Sequence, residues 1–279
     1  MTTPPPHIEI DGVPAADPGL LATLMSGFGH FTAMQVRDGR VRGYGLHVDR
    51  LDRSTRELFG QGVDGEHVRR LLAGALRTAG LRDATARVYV FEGEAGGGAA
   101  GGPGVRSGDG PAPAGVRLVV TVRGPADAPE APRRLRSVDY WRPAPHIKHL
   151  GGFGQSYHGE AARRAGYDDA LLVSRDGEIA EGAVTNIAFW DGTSVIWPSA
   201  PALTGITMAL LEPRLDSVRR RVTLADLPDM RAAFVTNSRG ISPVGGIDDV
   251  EFAADEKLME RVHEAYGSVP WEALRADVS

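Results

Sequence analysis

The sequence predicts a mixed α and β fold, on three observations. Short alternating apolar runs broken by Asp-Gly turns recur in both halves of the chain, the pattern of antiparallel hairpins. Between them lie segments whose apolar residues return every three or four positions, the pattern of amphipathic helices. Hairpins outnumber strand-helix-strand units, so a doubly wound parallel sheet is not expected.

Taken in order, His7 to Gly12 alternates and ends in a turn dipeptide, which reads as a first strand entering a hairpin. Phe31 to Val36, Asp38-Gly39 and Val41 onward repeat that grammar. From His47 the period changes: Val48, Leu51, Leu58 and Phe59 share one helical face, and a second helix carries Val68, Leu71, Leu72 and Leu76 and ends at Gly80. Strands return at 87–91 and 116–122. Residues 93–115 are almost all Gly, Ala, Pro and Ser, too poor in apolar surface to offset their ordering entropy, and read as a mobile insertion. Residues 124–134, with Pro125, Pro129 and Pro132, have the composition of an interdomain linker. Beyond it come a helix near 155–165 stopping at Gly166, strands at 169–174 and 179–182 around Asp176-Gly177, and strands at 186–190 and 194–197 around Asp191-Gly192. Gly205-Ile206-Thr207 opens a helix through about Arg214, and a last strand, Ala233 to Thr236, runs into Asn237-Ser238-Arg239-Gly240.

At 279 residues with 42% hydrophobic content the chain can bury a sizeable core. Its net charge of −5 and its lack of basic runs with interleaved aromatics give no electrostatic support for a nucleic-acid or anionic-membrane partner. There are no cysteines, hence no disulfide, thiolate metal site or thiol nucleophile. No apolar stretch approaches the ~20 residues of a membrane span, and the start of the chain lacks an export signal, so a cytoplasmic location and a small-molecule partner are expected. A metal site is not expected, because His146 and His149 lack a carboxylate cluster at ligand spacing.

Only two of the chain's 31 basic residues are lysines, Lys148 and Lys257. Arginine does the ordinary charge work, so a lysine is a candidate for chemistry that arginine cannot do. A partly buried lysine can become a free amine and condense with a carbonyl to a Schiff base, whereas arginine keeps its proton. Lys148 sits in the apolar, glycine-flanked run His146 to Gly152, while Lys257 sits among alternating charges at helical spacing and reads as the wet face of a surface helix.

From Lys148 to Val244 the chain resembles the class IV, or fold type IV, pyridoxal-phosphate enzymes, which include branched-chain and D-amino-acid aminotransferases and aminodeoxychorismate lyase. The motifs are Ile147-Lys148-His149-Leu150, then Gly166 to Leu172 with Asp176 to Gly182 and Thr185-Asn186-Ile187, then Leu203 to Thr207, and Phe234 to Val244; upstream, His47-Val48-Asp49-Arg50-Leu51 with Ser54 completes the set. The resemblance implies two α/β domains, a smaller one over 1–123 and a larger one over 135–279, with the cofactor between them and a homodimeric assembly. It implies Lys148 on the cofactor aldehyde and as the proton-moving base, and Glu181 on the ring nitrogen. Arg50, Gly205, Ile206, Thr207, Asn237 and Ser238 would form the phosphate cradle. Phe31, Arg87 and Arg239 are candidate substrate residues, with Arg142 a further candidate for a substrate carboxylate.

The implied activity is transfer of an amino group between an amino acid and a keto acid. The alternative is an aminodeoxychorismate-lyase type of reaction releasing pyruvate and 4-aminobenzoate, and a third reading is a relative that binds a metabolite without catalysis. The chain departs from the family at Phe153, where branched-chain enzymes have a tyrosine after the lysine, at Thr32, where an acidic residue commonly follows the phenylalanine, and at Gln35, an arginine in several relatives.

Overall fold

The computed structural model describes residues 9–10, 13–14, 21, 24–92, 115–253 and 255–274. Strands β1 (Glu9–Ile10) and β2 (Val13–Pro14) pair antiparallel, as the expected first hairpin does. The chain then forms β3 (Gly29–Val36), β4 (Arg40–Arg42), α1 (Tyr44–Phe59), α2 (Gly65–Ala79), β5 (Ala84–Glu92) and β6 (Val116–Arg123). A three-stranded antiparallel sheet in the order β3-β5-β6 results. Its alternation decides what lies where: Met34, Val36, Ala86, Val88 and Val90 pack against Leu51, Phe59, Val68, Leu72 and Leu76 of the two helices. Phe31, Gln35, Arg87 and Tyr89, at the alternate positions, are left on the opposite face. The Asp64 side chain caps α2 by accepting from Glu66 N, and left-handed Gly80 closes it.

The second layer is built from β7 (Arg133–Asp139), α3 (Phe153–Arg164), β8 (Asp169–Val173), β9 (Ile179–Gly182), β10 (Asn186–Trp190), β11 (Val195–Pro198), α4 (Ile206–Leu211), β12 (Ser217–Arg220), β13 (Ala232–Asn237), β14 (Gly240–Ile247), β15 (Val250–Glu251), α5 (Glu256–Gly267) and β16 (Trp271–Ala273). Nine of these strands form one mixed sheet in the order β12-β11-β10-β13-β14-β7-β8-β9, with β15 on β14. The sheet curls until its ends meet, Ile179 N donating to Val222 O at 2.8 Å beside a Glu178–Thr223 bridge. Leu171, Ile187, Phe189, Ile196, Ala233 and Val235 fill the inside. Their strand neighbours Ala188, Trp190, Trp197 and Phe234 point outward under α4 and α5, so β10 is buried at every position.

Four strands of the main sheet are absent from the sequence pattern, and the three longer ones each hide their alternation. β14 contains Gly240, Pro243, Gly245 and Gly246, residues that weaken or interrupt strands, and still runs between β13 and β7. β7 is Arg-Arg-Leu-Arg-Ser-Val-Asp and begins at Arg133, inside the expected linker. β12, at the end of the sheet order, is Ser-Val-Arg-Arg. The helix expected through Arg214 stops at Leu211 and tightens into a 3-10 turn, because Pro213 has no N–H to continue it. The expected insertion, apart from Gly115, lies outside the described residues. The final strand β16 returns to β4, and Leu274 joins the core under the three-stranded sheet. Among the described residues no helix is long and apolar enough to cross a membrane.

Candidate active site

A cavity of about 590 Å³ is lined from both layers. Lys148, Arg50, Glu181, Gly205, Ile206, Thr207, Asn237 and Ser238 all border it, as do Phe31, Arg87 and Arg239. Side chains from one end of the chain to the other are thus brought to one space by the folding of two sheets, and none of the sequence-derived candidates falls elsewhere.

Lys148 lies on a segment bonded to the edge of β3. Its carbonyl accepts from Phe31 N at 2.9 Å, and Leu150 N donates to Gly29 O at 2.9 Å. The preceding turn holds Ala144 at φ 43°, a left-handed conformation that an alanine adopts only when its surroundings impose it. Arg142 supplies that constraint: its Nη1 donates to Ile147 O at 2.7 Å and its Nη2 to Pro145 O. The Lys148 amine stands 4.9 Å from the centre of the Phe31 ring. Burial first, then the positive charges of Arg50 and Arg142, pull its pKa down to about 8.

Glu181 owes its direction to a bulge. Leu172 pairs with Glu181 while Val173 pairs with Ile179, so Ala180 is the extra residue on β9. Without it, Glu181 would follow Ile179 into the barrel interior; with it, Glu181 shares the face of Leu172 and reaches the cavity. Its carboxylate accepts from Arg142 Nε at 2.7 Å and from Leu203 N at 3.2 Å. Burial pushes its pKa up, and the Arg142 guanidinium opposes that rise.

Arg50 is buried on α1 and donates through Nη2 to Thr32 Oγ1 at 2.6 Å. Its Nε has no hydrogen-bond partner, and among the described residues it forms no ion pair. Burial and the charge of Arg53 lower its pKa to about 10. A buried cation without a counterion is costly unless an anion completes the site.

The opposite wall is held by Asn186, a motif residue to which the family resemblance assigns no role. Its Nδ2 donates to Leu203 O at 2.6 Å and its Oδ1 accepts from Gly205 N at 3.1 Å, fixing the Leu203–Gly205 turn to β10. The signal for it in the sequence is an asparagine opening an otherwise apolar strand, where burial demands partners. Thr207 Oγ1 donates to Asn237 O at 2.7 Å and so ties that turn to the β13–β14 hairpin. Asn237 Oδ1 accepts from Arg239 N at 2.8 Å, and Arg239 is exposed at the rim.

One expectation changes. Arg142 is committed to Glu181 and the lysine turn, so it is not available to a substrate carboxylate. Arg87, in contrast, donates only to Tyr89 Oη at 3.3 Å and leaves its Nε without a partner. Phe153, 81% exposed, stacks on Tyr157 rather than bordering the cavity.

Known proteins share this architecture. The Amino-transferase class IV family profile matches residues 29–247. A probable branched-chain-amino-acid aminotransferase of Rickettsia felis is 29% identical over 120 residues, a span of 39% of this chain and 41% of that protein. A structure from Legionella pneumophila bearing the name 4-amino-4-deoxychorismate lyase superposes with a TM-score of 0.78 at 19% identity, covering 89% of this chain and 94% of that one. A hypothetical aminotransferase from Mycobacterium tuberculosis in a PLP-bound form gives a TM-score of 0.74 at 21% identity, covering 91% and 92%. The fold is that of the fold type IV enzymes, and the chain belongs to the class IV aminotransferase family.

Proposed function

We propose that the chain is a pyridoxal-phosphate-dependent aminotransferase that moves an amino group between an amino acid and a keto acid. The observation that carries this reading is the arrangement of three groups on one cavity: an amine with its pKa lowered to about 8, a buried arginine without a counterion among the described residues, and a buried carboxylate. They fit the three ends of the cofactor. Lys148 Nζ would hold the aldehyde carbon, Glu181 the ring nitrogen, and Arg50 the phosphate, with Gly205, Ile206, Thr207, Asn237 and Ser238 around it.

When bound, pyridoxal phosphate draws electrons from the Cα of an amino acid. Lys148 Nζ, partly neutral at neutral pH, is suited to take the Cα proton and to return it on the cofactor side. Glu181, paired with Arg142, would hold a proton on the ring nitrogen. Arg87 and Arg239 would receive a substrate carboxylate, and Phe31 would pack against the substrate. A homodimer and a cytoplasmic location belong to the same proposal.

A second reading, the lyase, is favoured by the guanidinium groups of Arg87, Arg123 and Arg239 on the same cavity, a charge pattern suited to a substrate with more than one carboxylate. Incubation with pyridoxal phosphate, borohydride reduction and peptide mass analysis tests the cofactor site; modification of Lys257 or of neither lysine sinks it. Amino-acid turnover that needs a keto-acid acceptor supports the transferase. Release of pyruvate and 4-aminobenzoate without an acceptor supports the lyase.

A further inference from the structure

Beside Arg50 lies a short relay of uncharged groups. Thr32 is fully buried on β3 and His47 is buried one turn before Arg50 on α1. Thr32 Oγ1 stands 2.6 Å from Arg50 Nη2 and 2.7 Å from His47 Nδ1. A guanidinium can only donate, so the threonine oxygen accepts from Arg50 and its hydroxyl proton is free to go to His47 Nδ1. That assignment needs a neutral imidazole with an unprotonated Nδ1. Burial and the Arg50 charge hold the His47 pKa well below its ordinary value.

We propose that Thr32 and His47 are positioning residues for Arg50: they orient the guanidinium through an uncharged acceptor, so that its full charge is left for a dianionic phosphate ester in the cavity. The inference rests on the reading of Arg50 as the phosphate residue and goes beyond it. Three features argue for an orienting contact rather than incidental packing. Among the described residues Arg50 has a single acceptor, its Nε is unpartnered, and no carboxylate pairs with it. The neighbouring His30 does not compete for the same role, since its Nε2 meets Thr55 Oγ1 at 3.0 Å and the Thr55 hydroxyl is spent on Leu51 O.

The test compares pyridoxal phosphate with pyridoxal, which lacks the phosphate, as ligands of the apo protein, followed by the absorbance of the bound aldehyde. Thr32→Val keeps the shape and removes the hydroxyl; Thr32→Ser restores it; His47→Leu removes the acceptor at Nδ1 and serves as a second probe should the valine variant fold poorly. Thr32→Val is expected to weaken pyridoxal phosphate binding about tenfold to hundredfold and to change pyridoxal binding by less than about twofold. Thr32→Ser is expected to stay within about fivefold of the parent chain for both ligands, and His47→Leu to weaken pyridoxal phosphate binding by about fivefold or more while changing pyridoxal binding by less than about twofold. Equal losses for both ligands, no loss in Thr32→Val, or a serine variant as weak as the valine one would overturn the proposal. If the unmodified chain binds neither ligand, the cofactor reading itself fails and this inference falls with it.

Discussion

Arg142 and Glu181 form a buried ion pair, Nε to Oε1 at 2.7 Å, with side-chain exposures of only 4% and 7%. The same guanidinium holds the carbonyls of Ile147 and Pro145, so one side chain fixes both the carboxylate wall and the turn that presents Lys148. Removing it leaves a buried carboxylate uncompensated. Arg142→Met is expected to cost about 3–5 kcal/mol of stability, read from the urea midpoint. Arg142→Lys should recover little, because a single ammonium cannot reach three acceptors. A midpoint unchanged in both variants would contradict this role.

Lys148 should titrate early. Its folded-state pKa of about 8 lies below the ordinary 10.5, so between these values the unfolded chain binds more protons than the folded one. This group therefore makes the fold more stable as pH rises from about 8 toward 10.5, and its penalty is fully present below about 8. Trapping of pyridoxal phosphate on Lys148 by cyanoborohydride should rise with pH and reach half its maximum near 8. A profile that rises only near 10.5 would show an ordinary, solvated amine.

Glu181→Gln keeps the shape of the side chain and removes its charge. Under the proposed function it should lower kcat by roughly 10²–10³-fold, the scale of losing one pre-oriented electrostatic partner, while borohydride still fixes the cofactor on Lys148. Turnover within about twofold of the parent would place the ring nitrogen elsewhere.

Asn186→Ala removes both hydrogen bonds that hold Leu203 O and Gly205 N. The expected cost is about 1–3 kcal/mol in stability, with weaker binding of pyridoxal phosphate. Gly205→Ala reaches the same place from the other side: its backbone would accept an alanine, at φ −66°, but the added Cβ runs into Asn186 Oδ1. Matching losses in the two variants, with no further loss in the double variant, would show that they disrupt one contact. Additive losses would show two.

Much of the site is readable in the sequence because its residues come in local runs. Lys148 stands out by residue type in an arginine-rich chain, and the Glu181 and Leu203–Thr207 motifs are continuous stretches. The relationships between the runs are not readable there. That Arg142 reaches Glu181, 39 positions away, follows from the pairing of β7 with β8 and of β8 with β9, and β7 itself is masked because its arginines break the alternation. The bulge at Ala180 has no local signature, yet it decides which face Glu181 takes. In the fold, strands with clean alternation such as β3 and β5 announce themselves, whereas β14 is hidden by its glycines and Pro243.

The return of β16 to β4 bears on how the two layers can move against each other. Glu272 on that strand accepts from Tyr44 N at 2.8 Å and so caps the helix that carries Arg50, whose own N-cap, Gly43, has no side chain to do it. Arg42, paired with Trp271 across the two strands, lies over both the Tyr266 and Trp271 rings, at 4.7 and 4.3 Å. The layers are therefore laced together twice, by β16 on β4 and by the lysine segment on β3. A swinging-jaw motion that parts the two layers would have to unzip one of these seams.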